Sequence, residues 1–385
     1  MKILLCILSE QHIPNLLSVH HFKPDRLVLL QTSQMEKNRA GMNFLSALSK
    51  SDLITYTADS LVKVDQEDSI KKVTSSLEAA YAKYSSDDWI INLTGGTKIM
   101  SIAAYEFFKN KSAKLVYVNH SDPSVFLDLE EGTSEKSDYQ PTIEEFLEGY
   151  GYEHGKKLGK VKQAETRAEC YWRLSRLLAK NAESENIVRI DQSDHTDLRE
   201  GNIGLQTQFY KHLPDFIQQS IEQTFSANER SHGNKYMGEF MTGGWLEVFF
   251  WELLKKHAQT ADVWDIHLGI EPKRKGITQG ANNDMDVAFM RRHTLSFIEC
   301  KSGSQNNDPK NDILYKIMAI RKQLGALRVK AFLATTAEHV NRDAVVNRAE
   351  LYECTIIGLA QIQQLAKHWQ DIEIVQKVFR WKPST

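Results

Sequence analysis

Apolar residues in the first third of the chain gather into short runs at Ile3–Leu8, Arg26–Leu30, Leu53–Thr57, Trp89–Leu93 and Lys114–Asn119. Continuous apolar runs of this length suit strands covered on both faces. Between them, roughly Met35–Ser49, Glu67–Tyr84 and Lys98–Asn110 carry helical spacing. Strands alternating with helices predict a parallel sheet flanked by helices. Beyond Pro123 the rhythm changes, and Val125–Glu130 and the residues near Glu135–Tyr139 read as an antiparallel addition at the sheet edge.

The middle is less patterned. Ile143–Tyr150, Thr166–Asn181 and Phe209–Phe225 have helical spacing, with Pro214 marking a boundary in the last. Lys156–Lys162 is basic and reads as a solvated linker or a nucleic-acid contact. Asp191–Asp197 reads as a polar loop, because its one His and three Asp lack ligand spacing. From Thr242 the pattern sharpens again. It predicts a helix at Leu246–Lys256 with Glu247 in its early turn, and a strand at Val263–Ile270 that ends in the basic turn Lys273-Arg274-Lys275. Later come a helix at Asn311–Leu324, a strand at Val329–Thr335 and a helix at Glu338–Tyr352. A short strand at Cys354–Ile357 and a helix at Leu359–Trp369 close the chain.

Between these elements, Asn283–Lys301 holds two apolar-alternating runs around a polar turn, the pattern of a β-hairpin. Glu299 and Lys301 are two apart and share a strand face. Reversal around Arg292 and His293 sets Asp286 opposite Glu299 and Asp284 opposite Lys301. Directly opposed Cβ atoms lie about 4.5–5.5 Å apart, and two carboxylates that close repel unless a cation or proton intervenes. A metal site answers this, and so does an exposed hairpin with a cross-strand ion pair.

Composition narrows the partners. The chain has 385 residues, 41% hydrophobic and 25% charged, with a net charge of −2. No global basic field announces a nucleic acid, so such binding would use local patches. Four scattered cysteines without a C-x-x-C point to a reducing compartment. No apolar segment approaches the ~20 residues of a membrane span, and the expectation is a cytoplasmic protein. The pattern divides the chain into three expected parts: 1–140 an α/β domain, 141–240 a mainly helical or winged-helix-like connector, and 241–385 a second α/β domain.

In an open α/β sheet the ligand lies beyond the carboxyl ends of the strands. Here those ends are Ser9-Glu10-Gln11-His12, Gln31-Thr32-Ser33-Gln34 and Asn92-Leu93-Thr94-Gly95-Gly96-Thr97-Lys98. The last runs straight into a helix, whose free N–H groups favour an anion. It is neither a Walker A loop nor G-x-G-x-x-G, and a tight strand-to-helix turn also fits it.

That strand end resembles the signature of CARF domains, the Rossmann-like sensors of CRISPR-linked effectors. The resemblance implies a homodimer binding a cyclic oligoadenylate across its two-fold axis. Cyclic tetra-adenylate is the first candidate, although ring size is not written in these residues. Thr94, Gly95, Gly96, Thr97 and Lys98 would cradle the ligand, and Ser9, Gln11 and Thr32 would line the same pocket. The C-terminal order of helix, strand, hairpin, helix and strand resembles the restriction-endonuclease-like fold. Its residues resemble the PD-(D/E)xK nuclease pattern, with Asp286 as the first acid, Glu299-Cys300-Lys301 as E-x-K, Glu247 as the helical carboxylate and Met285 in place of the proline. This resemblance implies Mg²⁺ or Mn²⁺ held by Asp286, Glu299 and Glu247, with Lys301 beside the attacked phosphate. Asp284, Tyr315, Lys316 and the Lys273–Lys275 turn are further candidates for pairing or substrate contact.

Together the two resemblances imply a ligand-gated nuclease cutting single-stranded RNA or DNA, with nicking of duplex DNA a further option. Two alternatives stay open: a ligand-responsive nucleic-acid-binding regulator without cleavage, and a repair or restriction nuclease that cyclic oligoadenylate does not gate.

Overall fold

A computed structural model of the chain describes residues 1–51, 56–57, 60–84, 87–155, 158–184, 187–277, 284–303, 312–324, 329–337 and 343–381. The chain divides into two units: Met1–His154 with Pro272–Ala281 and Arg292–Thr294, and Gly155–Glu271 with Asn282–Arg291 and Leu295–Thr385.

The first unit is built on β1 (Lys2–Ile7), β2 (Arg26–Thr32), β3 (Leu61–Val64), β4 (Asp88–Asn92), β5 (Ala113–Val118), β6 (Val125–Asp128) and β7 (Ser134–Lys136), in the sheet order β3-β2-β1-β4-β5-β6-β7. The first five are parallel, and β6 and β7 are antiparallel additions. The order reverses at β1 and β4, which are neighbours with Cys6 opposite Asn92. Their carboxyl ends therefore open into the crevice where such sheets take ligands.

The helices are α1 (Ile13–Phe22), α2 (Ser33–Lys37), α3 (Ala40–Leu48), α4 (Ile70–Ala82), α5 (Lys98–Phe108) and α6 (Ile143–Gly149). One core joins Ile3, Leu5 and Ile7 of β1 to Val73 and Leu77 of α4 and Met100 and Phe108 of α5. Each such side chain contributes roughly 1.5–3 kcal/mol by leaving water.

Two expectations for this unit change, and a third falls largely outside the described residues. The run Leu53–Thr57 lies largely outside the described residues, and the strand beside β2 is Leu61–Val64. The single helix over Met35–Ser49 is two helices, broken where Arg39 takes a left-handed φ of 57°. The Lys273–Lys275 turn is partly a strand. β10 (Pro272–Arg274) pairs antiparallel with β8 (Tyr152–His154). Lys275 then forms an ion pair with Glu148, and its Nζ donates to Ser46 Oγ at 3.0 Å.

The second unit opens with α7 (Leu158–Lys180), α8 (Gln192–Glu200), a 3-10 turn (Thr207–Phe209), α9 (Asp215–Thr224), α10 (Ala227–His232) and α11 (Lys235–Glu239). A winged helix needs strands, and among the described residues between 158 and 240 there are none. The expected polar loop at Asp191–Asp197 is mostly α8, with Asp191 at its N-cap. Of the basic stretch Lys156–Lys162, Lys156 and Lys157 lie outside the described residues, and Lys160 and Lys162 are exposed in the first turns of α7.

After a π-helical stretch at Phe240–Gly244 comes α12 (Trp245–Lys256). It lies among β9 (Val263–Ile270), β11 (Met285–Arg291), β12 (Thr294–Lys301), α13 (Asp312–Gln323), β13 (Val329–Thr335), α14 (Asp343–Leu351), β14 (Cys354–Ile357), α15 (Leu359–Lys367) and α16 (Ile372–Val378). The sheet order is β14-β13-β12-β11-β9. β9 and β11 are antiparallel, whereas β12, β13 and β14 run parallel. β11 and β12 are interior strands with nearly every residue buried, so any charge on them is held out of water. Arg292 and His293 turn the chain with φ of 46° and 60°, the left-handed pair that a two-residue hairpin demands. Among the described residues no helix is long and apolar enough to cross a membrane.

Candidate functional site

The strand-end loop of the first unit is shaped from beneath by a buried polar network. Asn92, fully buried at the end of β4, donates from Nδ2 to Asn15 Oδ1 at 2.9 Å and to Ser18 Oγ at 2.8 Å. Asn15 in turn donates to the Ile7 carbonyl at 3.0 Å. The Thr94 hydroxyl donates to Asn92 Oδ1 at 2.7 Å and accepts from the Val118 amide at 2.7 Å. Its bonding capacity is largely spent inside the protein. A Cβ on Gly95 would stand 1.9 Å from the Ile7 carbonyl oxygen, so glycine is required there by β1 itself. Gly96 has φ +74° and abuts the Ile7 side chain.

Of the eight candidates for ligand contact, the exposed ones are Gly96, Thr97 and Lys98 at the start of α5. Thr97 caps that helix, its Oγ1 accepting from the Met100 amide at 3.2 Å. The remaining first-turn N–H groups and the Lys98 ammonium stand where an anion is favoured. At the end of β1, Ser9 and Gln11 close a local turn, with Ser9 Oγ donating to the Gln11 carbonyl at 3.1 Å. Thr32 is buried and caps α2, its Oγ1 accepting from Met35 N at 3.1 Å.

The second unit gathers the acidic candidates. Asp286 on β11 accepts from the Cys300 amide at 2.7 Å. Glu299 on β12 is 0% exposed. Lys301 Nζ lies 2.8 Å from Glu299 Oε1 and 3.9 Å from Asp286 Oδ2. Lys316 of α13 donates to both Glu299 oxygens at 2.9 Å and to Asp284 Oδ1 at 3.2 Å. Asp284 thus meets Lys316, where the hairpin reading expected Lys301. Tyr315 points elsewhere: it is 45% exposed, with its ring 6.1 Å from that of Tyr352.

Electrostatics binds Glu247 to this group. Part of the residue remains accessible, yet desolvation of its carboxyl, then Asp286, pushes its pKa well above the usual carboxylate range. Burial, then Glu299, pushes Asp286 up to about 7. Burial opposes the charged forms of Lys301 and Lys316, but the carboxylates outweigh it and raise both. A cluster that penalises its own negative charge is one that a cation relieves.

The donor chemistry fits a divalent ion, because carboxylate oxygens are hard ligands. Among the described residues, however, no three acidic, His or Cys side chains form a ready-made cage. Both oxygens of Glu299 already carry lysine ammonium groups.

Residues 3–146 match the family model of the Card1 CARF domain, and residues 234–376 match that of the Card1-like endonuclease domain. The chain joins a CARF domain to a Card1-like endonuclease domain. Can2 from Sulfobacillus thermosulfidooxidans, solved in complex with cyclic tetra-adenylate, superposes with a TM-score of 0.68 at 19% identity, over 96% of this chain and 100% of that one. Protein VC1899 from Vibrio cholerae superposes with a TM-score of 0.77 at 16% identity, over 96% and 97%. At these identities the likeness is one of fold. No curated protein matches the sequence.

The chain is therefore a nuclease, with an α/β CARF domain followed by an α/β endonuclease domain, and a divalent metal suits the second. Within the CARF domain, sequence reasoning missed Asn15, Ser18 and the supporting role of Asn92. Asn92 opens the strand-end motif, but α1, which carries Asn15 and Ser18, gave no amphipathic signal because it is buried almost all round. Within the endonuclease domain it underrated Lys316, whose surface-like helical spacing concealed a bond to a buried carboxylate.

Proposed function

We propose that this protein is a cyclic-oligoadenylate-activated, metal-dependent nuclease of CRISPR-linked defence, working in the cytoplasm as a homodimer on single-stranded RNA or DNA. Its parts are a sensing domain at 1–140, a helical connector at 141–240 and a nuclease domain at 241–385. The carrying observation is that one chain holds both an exposed, lysine-flanked helix start at a CARF strand end and a buried carboxylate cluster in an endonuclease domain. The cyclic tetra-adenylate held by Can2 makes that ring the first ligand to test.

Asp286 and Glu299 would hold Mg²⁺ or Mn²⁺, with Glu247 joining directly or through water. When bound, such an ion offsets charge on the phosphoryl oxygens and makes a coordinated water more acidic. Lys301, held beside both carboxylates, orients the attacking water or offsets charge on the scissile phosphate. Ser9, Gln11, Gly96, Thr97 and Lys98 receive the ligand, while Thr94 and Gly95 shape the β4 loop and Thr32 caps α2 at the end of β2. Activation requires that the ligand bind the active arrangement more tightly than the resting one.

The test incubates the purified protein with Mn²⁺ and labelled single-stranded RNA or DNA, with and without cyclic tri-, tetra- or hexa-adenylate. Glu299→Gln and Lys98→Ala run alongside. The expected result is cutting that needs a cyclic ligand, is lost in Glu299→Gln and demands more ligand in Lys98→Ala. Cutting indifferent to every ring removes the sensor, and cutting unchanged in Glu299→Gln removes the active site.

A further inference from the structure

Lys316 sits where it should not if its task were merely to line a surface. α13 is anchored by Ile317, Ile320 and, just beyond its end, Leu324, each at most 1% exposed. From that fixed helix the long, flexible Lys316 side chain reaches a carboxylate on a neighbouring interior strand. Its ammonium is equidistant from the two oxygens of Glu299, at 2.9 Å from each, and 3.2 Å from Asp284 Oδ1. The Lys301 ammonium takes a second position on Oε1 at 2.8 Å. Glu299 is completely buried, so an unpaired charge there would be costly.

A divalent ion binds through the same carboxylate lone pairs at about 2.0–2.2 Å. A divalent ion that close and an ammonium still seated on both oxygens would repel each other strongly in a water-poor site. One must yield. The second partner of Lys301 is Asp286, itself a buried member of the cluster, at 3.9 Å, whereas Lys316 approaches Glu299 from a separate helix. It also has a second partner in Asp284, whose side chain is 47% exposed and lies toward water.

We propose that Lys316 is a displaceable internal counter-ion. It neutralises Glu299 until a divalent metal arrives, and withdraws toward Asp284 as the metal binds. The inference rests on the reading of Glu299 as a metal ligand and adds a positioning residue to it. Metal loading of this nuclease is then an exchange of one cation for another, and its affinity is set partly by how firmly Lys316 holds on.

The test titrates Mn²⁺ into the full chain by calorimetry, without nucleic acid, for the unaltered protein, Lys316→Gln, Lys316→Arg, Glu299→Gln and Lys322→Gln. Lys322 is an exposed residue of the same helix and controls for simple loss of positive charge. Removing the competitor in Lys316→Gln should tighten Mn²⁺ binding about tenfold, with Lys316→Arg and Lys322→Gln near the unaltered value. In chelator, Lys316→Gln should melt lower than the unaltered protein, and Mn²⁺ should raise its melting temperature more. A folded Lys316→Gln that binds Mn²⁺ no more tightly overturns the proposal. Should that variant fail to fold, the unaltered protein labelled with ¹³C-lysine answers instead. The Lys316 methylene signal, identified by its loss in Lys316→Arg, should shift as Mg²⁺ saturates the site, and an unmoved signal overturns the proposal. Mn²⁺ binding as tight in Glu299→Gln as in the unaltered protein would remove the metal reading itself, a failure separate from that of Lys316.

Discussion

The strand-end loop of the CARF domain and the carboxylate cluster of the endonuclease domain handle their polar groups in opposite ways. In the loop, Asn92 and Thr94 are satisfied almost completely by the protein, and Gly95 is fixed by the β1 backbone. In the cluster, Glu247 and Asp286 are desolvated among like charges, which raises both pKa values. The loop invests its motif in shape and leaves recognition to a few exposed groups. The cluster keeps its motif under electrostatic stress that a cation or a proton relieves. Substitutions of the loop's buried residues should therefore act through stability, those of its exposed residues through ligand binding, and those of the carboxylates in the cluster through chemistry.

The largest expected contrast is between Glu299→Gln and the rest. It should lower ligand-stimulated cleavage by about two to three orders of magnitude, as followed by initial rates on labelled strands, while the protein still melts cooperatively. Gly95→Ala should do the reverse, because its methyl group would meet the Ile7 carbonyl oxygen at 1.9 Å. We expect a loss on the order of 3 kcal/mol in denaturant unfolding, with the nuclease site chemically intact. Thr94→Val strands the Val118 amide and takes a donor from Asn92, costing about 1–3 kcal/mol. Lys98→Ala, a step away at the exposed helix start, should leave stability within about 0.5 kcal/mol and weaken ligand binding by severalfold.

The smallest effect lies outside both sites. Nδ1 of His267 lies 2.8 Å from Glu165 Oε1 and its Nε2 lies 2.8 Å from Asp265 Oδ1, so the charged imidazole donates to both. Burial opposes its charge, but the two carboxylates prevail and raise its pKa to about 9. The unfolded value is about 6.5, so the folded state binds this proton more tightly. The stabilisation is complete below about pH 6.5 and is lost as pH rises through 9. With the imidazole 30% exposed, we expect roughly 1 kcal/mol after screening. Melting temperatures at pH 6 and pH 9.5, compared between the unaltered protein and His267→Gln, should converge at the higher pH.

Much of this was legible in the chain, and the failures have physical causes. Val263–Ile270, Val329–Thr335 and Cys354–Ile357 read correctly to the residue, since short, largely apolar runs bounded by polar residues leave little ambiguity. The turn at Arg292 and His293 was visible from symmetry about the apolar runs, although neither residue is a usual turn former. β3 went unread because an edge strand needs few buried residues, and only Val64 of its four is fully buried. The carboxylates were readable because their spacing is local. Lys316 was named only as a candidate for pairing or substrate contact, since the partner of a lysine on a separate helix depends on tertiary packing. The strand-end motif marked the right place but overstated how many of its residues remain available to a ligand.

The pairing of β10 with β8 carries a consequence for any attempt to divide the protein. The first unit is not a continuous stretch of sequence. It borrows Pro272–Arg274 to complete a two-stranded ribbon, and Lys275 to neutralise the buried Glu148. A fragment ending near residue 154 would keep every strand of the large sheet yet leave β8 as an open edge and Glu148 without that lysine. Solubility of such a fragment would report on this missing patch, and adding residues 272–277 back as a separate peptide would be the way to restore it.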